Sequence, residues 1–295
     1  MKIFFVAVFD EEGKSTNNSQ SRGFKAAGHE VYQYSFRDRA RLIGDANRDL
    51  EIRDVVTEQD PDLVVFSKCA ELSVDTIKFI CQRYKTCYWY MDPLTSLRED
   101  YLVKAAECSY VVTAVLNTVE HFKKVNNNTF LVYEGFDHTI DRPSEVEKQF
   151  DVSFIGSLHS SRKEMLMNIQ PGIAHITGAY GQDHARAVSA SRINLNISTS
   201  GGASDRVFKV LAAGGFLLTT DWEGREKLFK DKEHLVVFSD KKDLQDKIQY
   251  YLANQDERKL IAQAGLKEVQ NYNRDQWACE IIRIFEEELN HETKS

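Results

Sequence analysis

The chain alternates short apolar runs with longer polar segments whose apolar residues recur at helical spacing. Residues 2–9 (KIFFVAVF) are apolar almost throughout, as a parallel strand covered on both faces would be. Similar runs follow in HEVYQYSF, DLVVFSK, CYWYMD, SYVVTAV and TFLVYEGFD. Residues 46–59, 74–84 and 97–106 between them have helical periodicity. We therefore predict a first doubly wound α/β domain, in which residues 10–21 form a polar loop after the first strand.

The same alternation starts again at Asp151, after a polar linker at residues 138–148. Strands are predicted in DVSFIGS, IAHITG, RINLNIS, GFLLTTD and HLVVFS, and the chain is mainly helical from residue 243 onward. Strands that alternate with helices twice, with a linker between, predict two Rossmann-like domains, at residues 1–143 and 144–273. Two such domains that face a cleft offer that cleft as the ligand site.

Composition supports a globular protein and favours a cytoplasmic location. The chain has 295 residues, 42% of them hydrophobic, and a net charge of −7, so we expect a cytoplasmic globular protein rather than a basic nucleic-acid-binding domain. The apolar runs are too short to span a membrane, and the first ends in three acidic residues, which disfavours a signal peptide. Five cysteines without a C-x-x-C pair indicate neither a disulfide framework nor a zinc site.

The stretch at residues 191–221 has the order strand, glycine loop, helix, glycine turn, strand. Residues 198–202 are small, and two adjacent glycines let the backbone approach a ligand closely. Ser204 or Asp205 can cap the helix that follows. A loop whose amides precede a helix N-terminus suits an anion, although an ordinary βαβ crossover explains the same pattern.

A second candidate anion site follows the strand that begins at residue 151. Gly156 and Ser157 form a turn, and Arg162 and Lys163 come soon afterwards. Backbone amides and two cations would together suit a diphosphate. The alternative is a helix start with two solvated basic residues.

Two further residues are candidates for ligand contact. Tyr180 lies in a Gly-Ala-Tyr-Gly turn and could stack on a nucleobase, or the segment could be a plain turn. Asp92, like Glu71 and Asp137, follows an N-domain strand. The aromatic residues 88–90 could desolvate Asp92 and raise its pKa toward that of a general base, or Asp-Pro could simply start a turn.

Common catalytic motifs are absent from the sequence. It contains no H-E-x-x-H, G-x-S-x-G, Walker lysine loop or G-x-G-x-x-G, and its histidines lack metal-ligand spacing. We therefore predict a metal-independent reaction without a cofactor.

Taken together, these segments resemble the two-domain GT-B glycosyltransferases, most closely the CgeB-like (spore-maturation) group. The matching pieces cover nearly the whole chain: KIFFVAVFD, GHEVYQYSFR, PDLVVFSK, CYWYMDP, DVSFIGSLHSSR, RINLNIS, SDRVFKVLAAGGFLLTTD and DLQDKIQYYLANQDERKLIAQAG. The C-terminal half is the more specific, because its R-x-F-x-x-L-A-A-G-G-F-L-L-T and Y-Y-L-x-N runs occur in the right order.

The resemblance implies a glycosyltransferase. Its N-terminal domain would hold a hydroxyl acceptor and its C-terminal domain a nucleoside-diphosphate sugar, with UDP as the expected nucleotide. Residues 274–295 would form a helix that crosses back to the N-terminal domain. Arg206 and Arg162 would stabilise the departing diphosphate. Asp92 is the candidate for the acceptor-side base because of its position after an N-domain strand, not because of the resemblance. The predicted donor site comprises Gly156, Ser157, Arg162, Lys163, Tyr180, Ser198, Gly201, Gly202, Arg206 and Lys209.

One departure from the family pattern leaves the donor open. Many relatives have a ribose-binding glutamate where this chain has Lys209, and the paired glutamate eight residues earlier falls on Gly201. A lysine cannot accept the ribose hydrogen bonds. Lys209 could bind phosphate or an acidic sugar, the ribose could be held elsewhere, or the protein could be a degenerate nucleotide- or partner-binding protein. An epimerase on the same scaffold is a third possibility.

The acceptor is equally open. A polysaccharide, a protein, a small metabolite and the hydroxymethylated bases of phage DNA are all compatible with the resemblance. The basic cluster of Arg37, Arg39 and Arg41 could contact DNA phosphates, although the acidic net charge argues against it.

Overall fold

The computed structural model describes residues 1–12, 15–198 and 202–292. The chain forms two compact units, one made of residues 1–133 with the segment that starts at Arg274, the other of Glu134–Asn273. Each unit contains one parallel β-sheet with helices packed against it. The predicted α/β class with two Rossmann-like domains is therefore confirmed.

The strands and helices of the described residues are numbered here in chain order. The strands are β1 Lys2–Ala7, β2 Glu30–Ser35, β3 Leu63–Ser67, β4 Thr86–Tyr90, β5 Tyr110–Thr113, β6 Thr129–Leu131, β7 Phe150–Ile155, β8 Ala174–Ile176, β9 Ser191–Asn196, β10 Leu217–Thr220 and β11 Val236–Phe238. The helices are α1 Thr16–Ala26, α2 Phe36–Ile43, α3 Asp45–Gln59, α4 Val74–Cys81, α5 Glu99–Glu107, α6 Val119–Lys123, α7 Ser160–Leu166, α8 Gln182–Ser189, α9 Asp205–Ala212, α10 Arg225–Leu228, α11 Lys241–Ala253, α12 Gln255–Val269 and α13 Arg274–Glu292. Within this part of the chain, every helix is too short or too polar to cross a bilayer.

The strand order places one switch point in each sheet. The first sheet has the order β2-β1-β3-β4-β5-β6. Strand β2 is added on one side of β1 and the later strands on the other, so the switch point lies between β1 and β3. The second sheet has the order β11-β10-β9-β7-β8, with the switch point between β7 and β9. Parallel α/β sheets bind ligands beyond the carboxyl ends of their strands at such points. The topology therefore directs attention to the residues that follow β7 and β9 and to those that follow β1 and β3.

Alternate residues of β1 pack into two hydrophobic cores on opposite faces of the first sheet. Ile3 and Phe5 pack with helices α1 and α13, and Phe4 and Val6 pack on the opposite face of the sheet. Trp277 of α13 lies in the first of these cores, with ring centroids 5.0 Å from Phe24 and 5.2 Å from Trp89. The C-terminal helix is thus a component of the first sheet's hydrophobic core.

The polar loop predicted at residues 10–21 is shorter in the structure, because helix α1 begins at Thr16. Ser15 caps the helix by accepting a hydrogen bond from the backbone N–H of Asn18 at 3.1 Å. Ser19, Gln20 and Ser21 are polar yet buried. Since helix prediction from sequence depends on apolar periodicity, this segment gave no helical signal.

In the second unit, His184 is buried within α8, which packs on α9. Burial lowers the pKa of His184 to about 4, and the positive charges of Lys209 and Arg206 act in the same direction, while Asp205 opposes them. The imidazole is therefore neutral at pH 7, and its Nδ1 atom is buried without a hydrogen-bond partner among the described residues. Protonating it in the folded state would place a further positive charge beside two cations.

We predict that His184 makes the protein less stable as the pH falls from 7 to 5. An unfolded histidine takes up a proton near its ordinary pKa of 6.5, whereas folded His184 does so only near 4. Between these values the unfolded chain binds more protons, so the free energy of unfolding falls by about 2 kcal/mol from this residue alone. Urea unfolding at both pH values should show a smaller decrease in His184→Gln than in the wild type.

The exposed His159 supplies the control for this measurement. His159→Gln is expected to keep the full pH dependence of the wild type. Identical pH dependence in His184→Gln and the wild type would show that burial of this imidazole has no such effect.

Candidate functional site

The ends of β7 and β9 lie side by side at the switch point of the second sheet. Two arginines from different helices meet there on one aromatic ring. The guanidinium carbons of Arg162 and Arg206 lie 5.8 Å and 5.1 Å from the ring centroid of Phe154, which is fully buried in β7. Both distances are within the range of cation–π attraction. The ring thus forms an apolar support for two positive charges.

Arg206 is held in place from several sides. It is the second residue of α9, and its Nη1 donates a hydrogen bond to Asn196 Oδ1 at 3.1 Å. Its Nη2 lies against the turn at Gly156, where a Cβ atom would be only 2.5 Å away. Gly156 also has a φ of +132°, which L side chains rarely adopt. Glycine is therefore required here both by the backbone and by the arginine that packs on it.

Arg162 links the two strand ends. Its Nε donates to the carbonyl oxygen of Ile197 and its Nη1 to that of Ser157, both at 3.1 Å. One acceptor follows β9 and the other follows β7, so the guanidinium is fixed at the switch point itself. The N–H of Gly156 donates to the carbonyl of Ile176 at 2.9 Å. The guanidinium groups, rather than the amide of Gly156, are therefore the donors that this turn offers to a ligand.

Both arginines carry a charge that is poorly compensated. Burial lowers the pKa of Arg162. It also lowers the pKa of Arg206, an effect that Asp205 opposes and the nearby charge of Arg162 strengthens. No described carboxylate lies within ion-pair distance of either guanidinium. Because desolvated cations gain most from an anionic partner, this geometry favours binding of a phosphate or a diphosphate.

Helix α9 adds to this preference. It points its N-terminus toward the site, where the unpaired amides of a helix favour negative charge. Its N-cap residue, Ser204, makes no side-chain capping bond, and its hydroxyl donates to Asn196 Oδ1 at 3.3 Å. The sequence prediction that Ser204 or Asp205 precedes the helix is correct in position, but the hydroxyl has another partner.

Asn196 organises this site, although it is not among the residues predicted from the sequence. Its side chain is fully buried; Oδ1 accepts from Ser204 and Arg206, and Nδ2 donates to Thr219 Oγ1 at 3.0 Å. The available signal was a polar residue between the apolar Leu195 and Ile197 at the end of a buried strand, since a buried amide must find partners. Phe154 was missed for the opposite reason, because one aromatic residue in a strand is typical of a core.

Of the predicted glycine loop, the structure describes its two ends, Ser198 and Gly202. The N–H of Ser198 donates to Thr220 Oγ1 at 2.8 Å, and its hydroxyl donates to the carbonyl of Gly202 at 3.0 Å. Ser198 therefore fastens the two ends of the loop and does not offer its amide to a ligand. Gly201 lies outside the described residues. Lys163 is exposed, so the predicted basic pair has one fixed member, Arg162, and one solvated one.

Two further residues of the predicted donor site are Tyr180 and Lys209. Tyr180 is 64% exposed, in the turn between the edge strand β8 and helix α8. Lys209 lies one turn after Arg206 on α9, and its Nζ is 2.6 Å from Asp205 Oδ2. A carboxylate is thus present near the position where relatives have a glutamate, but it is supplied by residue 205 and is ion-paired.

In the first unit, Asp92 has a cationic partner. Its Oδ2 lies 2.6 Å from Lys68 Nζ, and its side chain is 34% exposed. The aromatic residues 88–90 belong to the two cores of the sheet. The apolar environment predicted for this carboxylate is therefore not found. Asp137 belongs to the second unit, where its carboxylate accepts from the N–H and hydroxyl of Thr139.

The basic cluster proposed as a contact for DNA phosphates is neutralised by carboxylates. Each of its three arginines forms an ion pair: Arg37 with Glu71 at 2.7 Å, Arg39 with Glu51 at 2.5 Å and Arg41 with Asp38 at 2.6 Å. Phosphate binding would have to compete with these carboxylates. The cluster consequently resembles a solvated helix surface, as does any charged run with both signs interspersed.

Comparisons with known proteins agree with the fold. The glycosyl transferase-like family model matches residues 141–283. A comparison with curated protein sequences finds no match. Among solved structures, HepE from Anabaena in complex with UDP-glucose is similar at 12% identity, with 96% of this chain and 99% of that chain covered and a TM-score of 0.71.

Two other solved structures cover almost the whole chain. Sucrose-phosphate synthase from Thermosynechococcus elongatus has 12% identity, 99% and 100% coverage and a TM-score of 0.72. A glycosyltransferase from Rickettsia africae has 13% identity, 98% coverage of both chains and a TM-score of 0.70. At such identities the likeness concerns the fold. The chain therefore has the two-domain GT-B fold of glycosyltransferases, and its residues 141–283 match the glycosyl transferase-like family.

Proposed function

We propose that this protein is a glycosyltransferase that takes the sugar from a UDP-sugar and transfers it to a hydroxyl acceptor. The observation that carries the proposal is the pair of partly buried guanidinium groups, Arg162 and Arg206, at the switch point of the second sheet. The family model supports it, as do the HepE structures with UDP-glucose and with UDP. The nucleotide sugar would be a co-substrate, and the absence of a cofactor or metal requirement stays a prediction.

The two arginines would act on the leaving group. When the bond between the anomeric carbon and the diphosphate breaks, negative charge develops on the diphosphate oxygen. Guanidinium groups fixed by Phe154, Asn196 and the carbonyls of Ser157 and Ile197 need little reorganisation to stabilise that charge. Arg206 adds the N-terminus of α9 to the same anion site. In this proposal Gly156 serves by leaving space for Arg206, and Lys163 contributes long-range attraction.

The pair formed by Asp205 and Lys209 would lie beside the nucleoside in this proposal. The Asp205 carboxylate can accept hydrogen bonds from ribose hydroxyls, which the ammonium of Lys209 cannot. Tyr180, exposed in the turn after β8, is a candidate stacking surface for the base. Gly202 and Ser198 would shape the loop next to the sugar. Membership of the CgeB-like group and a cytoplasmic location remain proposals.

A second candidate function is nucleotide binding without turnover, which Lys209 favours. If the ion pair with Asp205 prevents productive placement of the ribose, UDP would bind but no sugar would move. Mass spectrometry of UDP-sugars incubated with the protein separates the two functions. Transfer or hydrolysis of the donor supports the enzyme, and bound but intact donor supports the binding protein.

We predict that Arg206→Ala weakens UDP binding by about 10- to 100-fold, the range expected on losing a hydrogen bond to a charged group. Calorimetry at fixed ionic strength measures the dissociation constant. The matched control is Arg192→Ala, because Arg192 is exposed on β9 and ion-paired with Asp151. That control should stay within about twofold of the wild type, since exposed ion pairs contribute little. Equal affinities for Arg206→Ala and the wild type would place the diphosphate elsewhere.

A second prediction concerns Gly156. Gly156→Ala should reduce UDP affinity because the new Cβ displaces Arg206 from the turn. In an Arg206→Ala background the same change should cost little further affinity, since the displaced group is already missing. Calorimetry on all four proteins of this cycle measures the coupling, and thermal melting reports any loss of folding. The control is Gly172→Ala, which meets no atom within 4 Å and lies outside the left-handed region. Strictly additive losses would contradict the proposed role of Gly156.

A further inference from the structure

The turn after β3 holds two consecutive non-glycine residues in a left-handed conformation. Lys68 has a φ of 58° and Cys69 a φ of 49°. Side chains with a Cβ atom adopt this conformation only at an energetic cost, and two in succession are unusual. Strained backbone of this kind is concentrated at functional sites, where the surrounding structure maintains it.

Two buried polar side chains maintain the turn. The hydroxyl of Tyr88 donates to the carbonyl of Lys68 at 2.6 Å. Lys104 is only 3% exposed, and its Nζ donates to the carbonyls of Ala70 at 2.6 Å and Cys69 at 3.2 Å. Glycine at position 68 would remove much of the strain without these supports. The chain instead keeps a lysine there, which indicates that the lysine side chain has a use.

The strained turn directs Lys68 to Asp92. The two side chains lie beyond the carboxyl ends of β3 and β4, adjacent strands in the middle of the first sheet. Lys68 Nζ is 2.6 Å from Asp92 Oδ2, and both side chains are about one third exposed, at 32% and 34%. The ammonium has further N–H donors and the carboxylate further lone pairs. The pair therefore presents hydrogen-bond donors and acceptors side by side with no net charge.

We propose that the Lys68–Asp92 pair binds adjacent hydroxyl groups of a neutral saccharide, which serves as the acceptor. The ammonium would donate to one hydroxyl oxygen, and the carboxylate would accept from the O–H of its neighbour. The saccharide's role as acceptor rests on the proposed glycosyl transfer. The binding site itself consists of first-unit residues alone. Asp92 orients the acceptor hydroxyl in this arrangement.

A neutral saccharide fits better than DNA. A phosphate backbone would meet the carboxylate of Asp92, and the basic cluster of Arg37, Arg39 and Arg41 is already ion-paired. Duplex DNA binds chiefly through uncompensated Lys and Arg side chains. A saccharide needs only the paired donors and acceptors that are present.

The test is saturation-transfer NMR with maltose, cellobiose and sucrose, in the presence of UDP, on the full chain and on variants. Lys68→Gly removes the ammonium and relieves the left-handed strain, so its melting temperature should be unchanged or higher while saccharide binding falls at least tenfold. Asp92→Asn should lose binding similarly. Lys232→Gly is the matched control, because Lys232 is another left-handed lysine, with φ 60°, in the second unit. It should gain stability in the same way and keep binding.

Three results would overturn the proposal. They are saccharide binding that survives both Lys68→Gly and Asp92→Asn, failure of the wild type to bind any of the three saccharides, and binding of a hydroxymethylcytosine duplex in their place. UDP calorimetry on the same proteins separates this inference from the proposed function. If it is right, both first-unit variants bind UDP like the wild type; if the wild type does not bind UDP, the proposed donor fails while the saccharide result stands independently.

Discussion

The second unit depends on keeping two partly desolvated guanidinium groups close to one aromatic ring without a carboxylate between them. Like charges at short range repel, and burial makes each charge more costly. The fold offsets these costs with the face of Phe154, the amide oxygen of Asn196 and the carbonyls that follow β7 and β9. The positive charge that these groups leave uncompensated would attract a diphosphate. The constraint explains why a glycine with positive φ lies at residue 156, since any larger residue would displace Arg206.

In the first unit the candidate site contains a compensated pair of opposite charges. There the two charges of Lys68 and Asp92 compensate each other, and the unusual feature is the backbone that brings them together. Tyr88 and Lys104 are buried polar groups whose hydrogen bonds hold a strained turn. One sheet thus offers uncompensated positive charge and the other a neutral pair of donor and acceptor. That difference is the one expected if the second unit binds an anionic nucleotide sugar and the first a neutral saccharide, as proposed above.

The sequence was sufficient for the architecture and for part of the site. Buried parallel strands such as LVVFS have an apolar run that periodicity detects, and turns such as Gly156-Ser157 mark where those strands end. Arg162 and Arg206 could be predicted because basic residues after a glycine turn have a physical role. Asn196, Phe154 and Lys68 could not, because their importance depends on neighbours distant in sequence. Helix α1 was partly missed because Ser19, Gln20 and Ser21 are buried polar residues. The ion pair of Asp92 could not be predicted because Lys68 precedes it by 24 residues.

The central claim is that the second unit recognises a diphosphate through two uncompensated arginines. Calorimetry of the wild-type protein with UDP and with uridine tests it most directly, because the two ligands differ only in the diphosphate. The account predicts that UDP binds at least about tenfold more tightly than uridine and that its affinity falls as ionic strength rises. Equal affinity for UDP and uridine, or UDP binding that salt does not change, would contradict it.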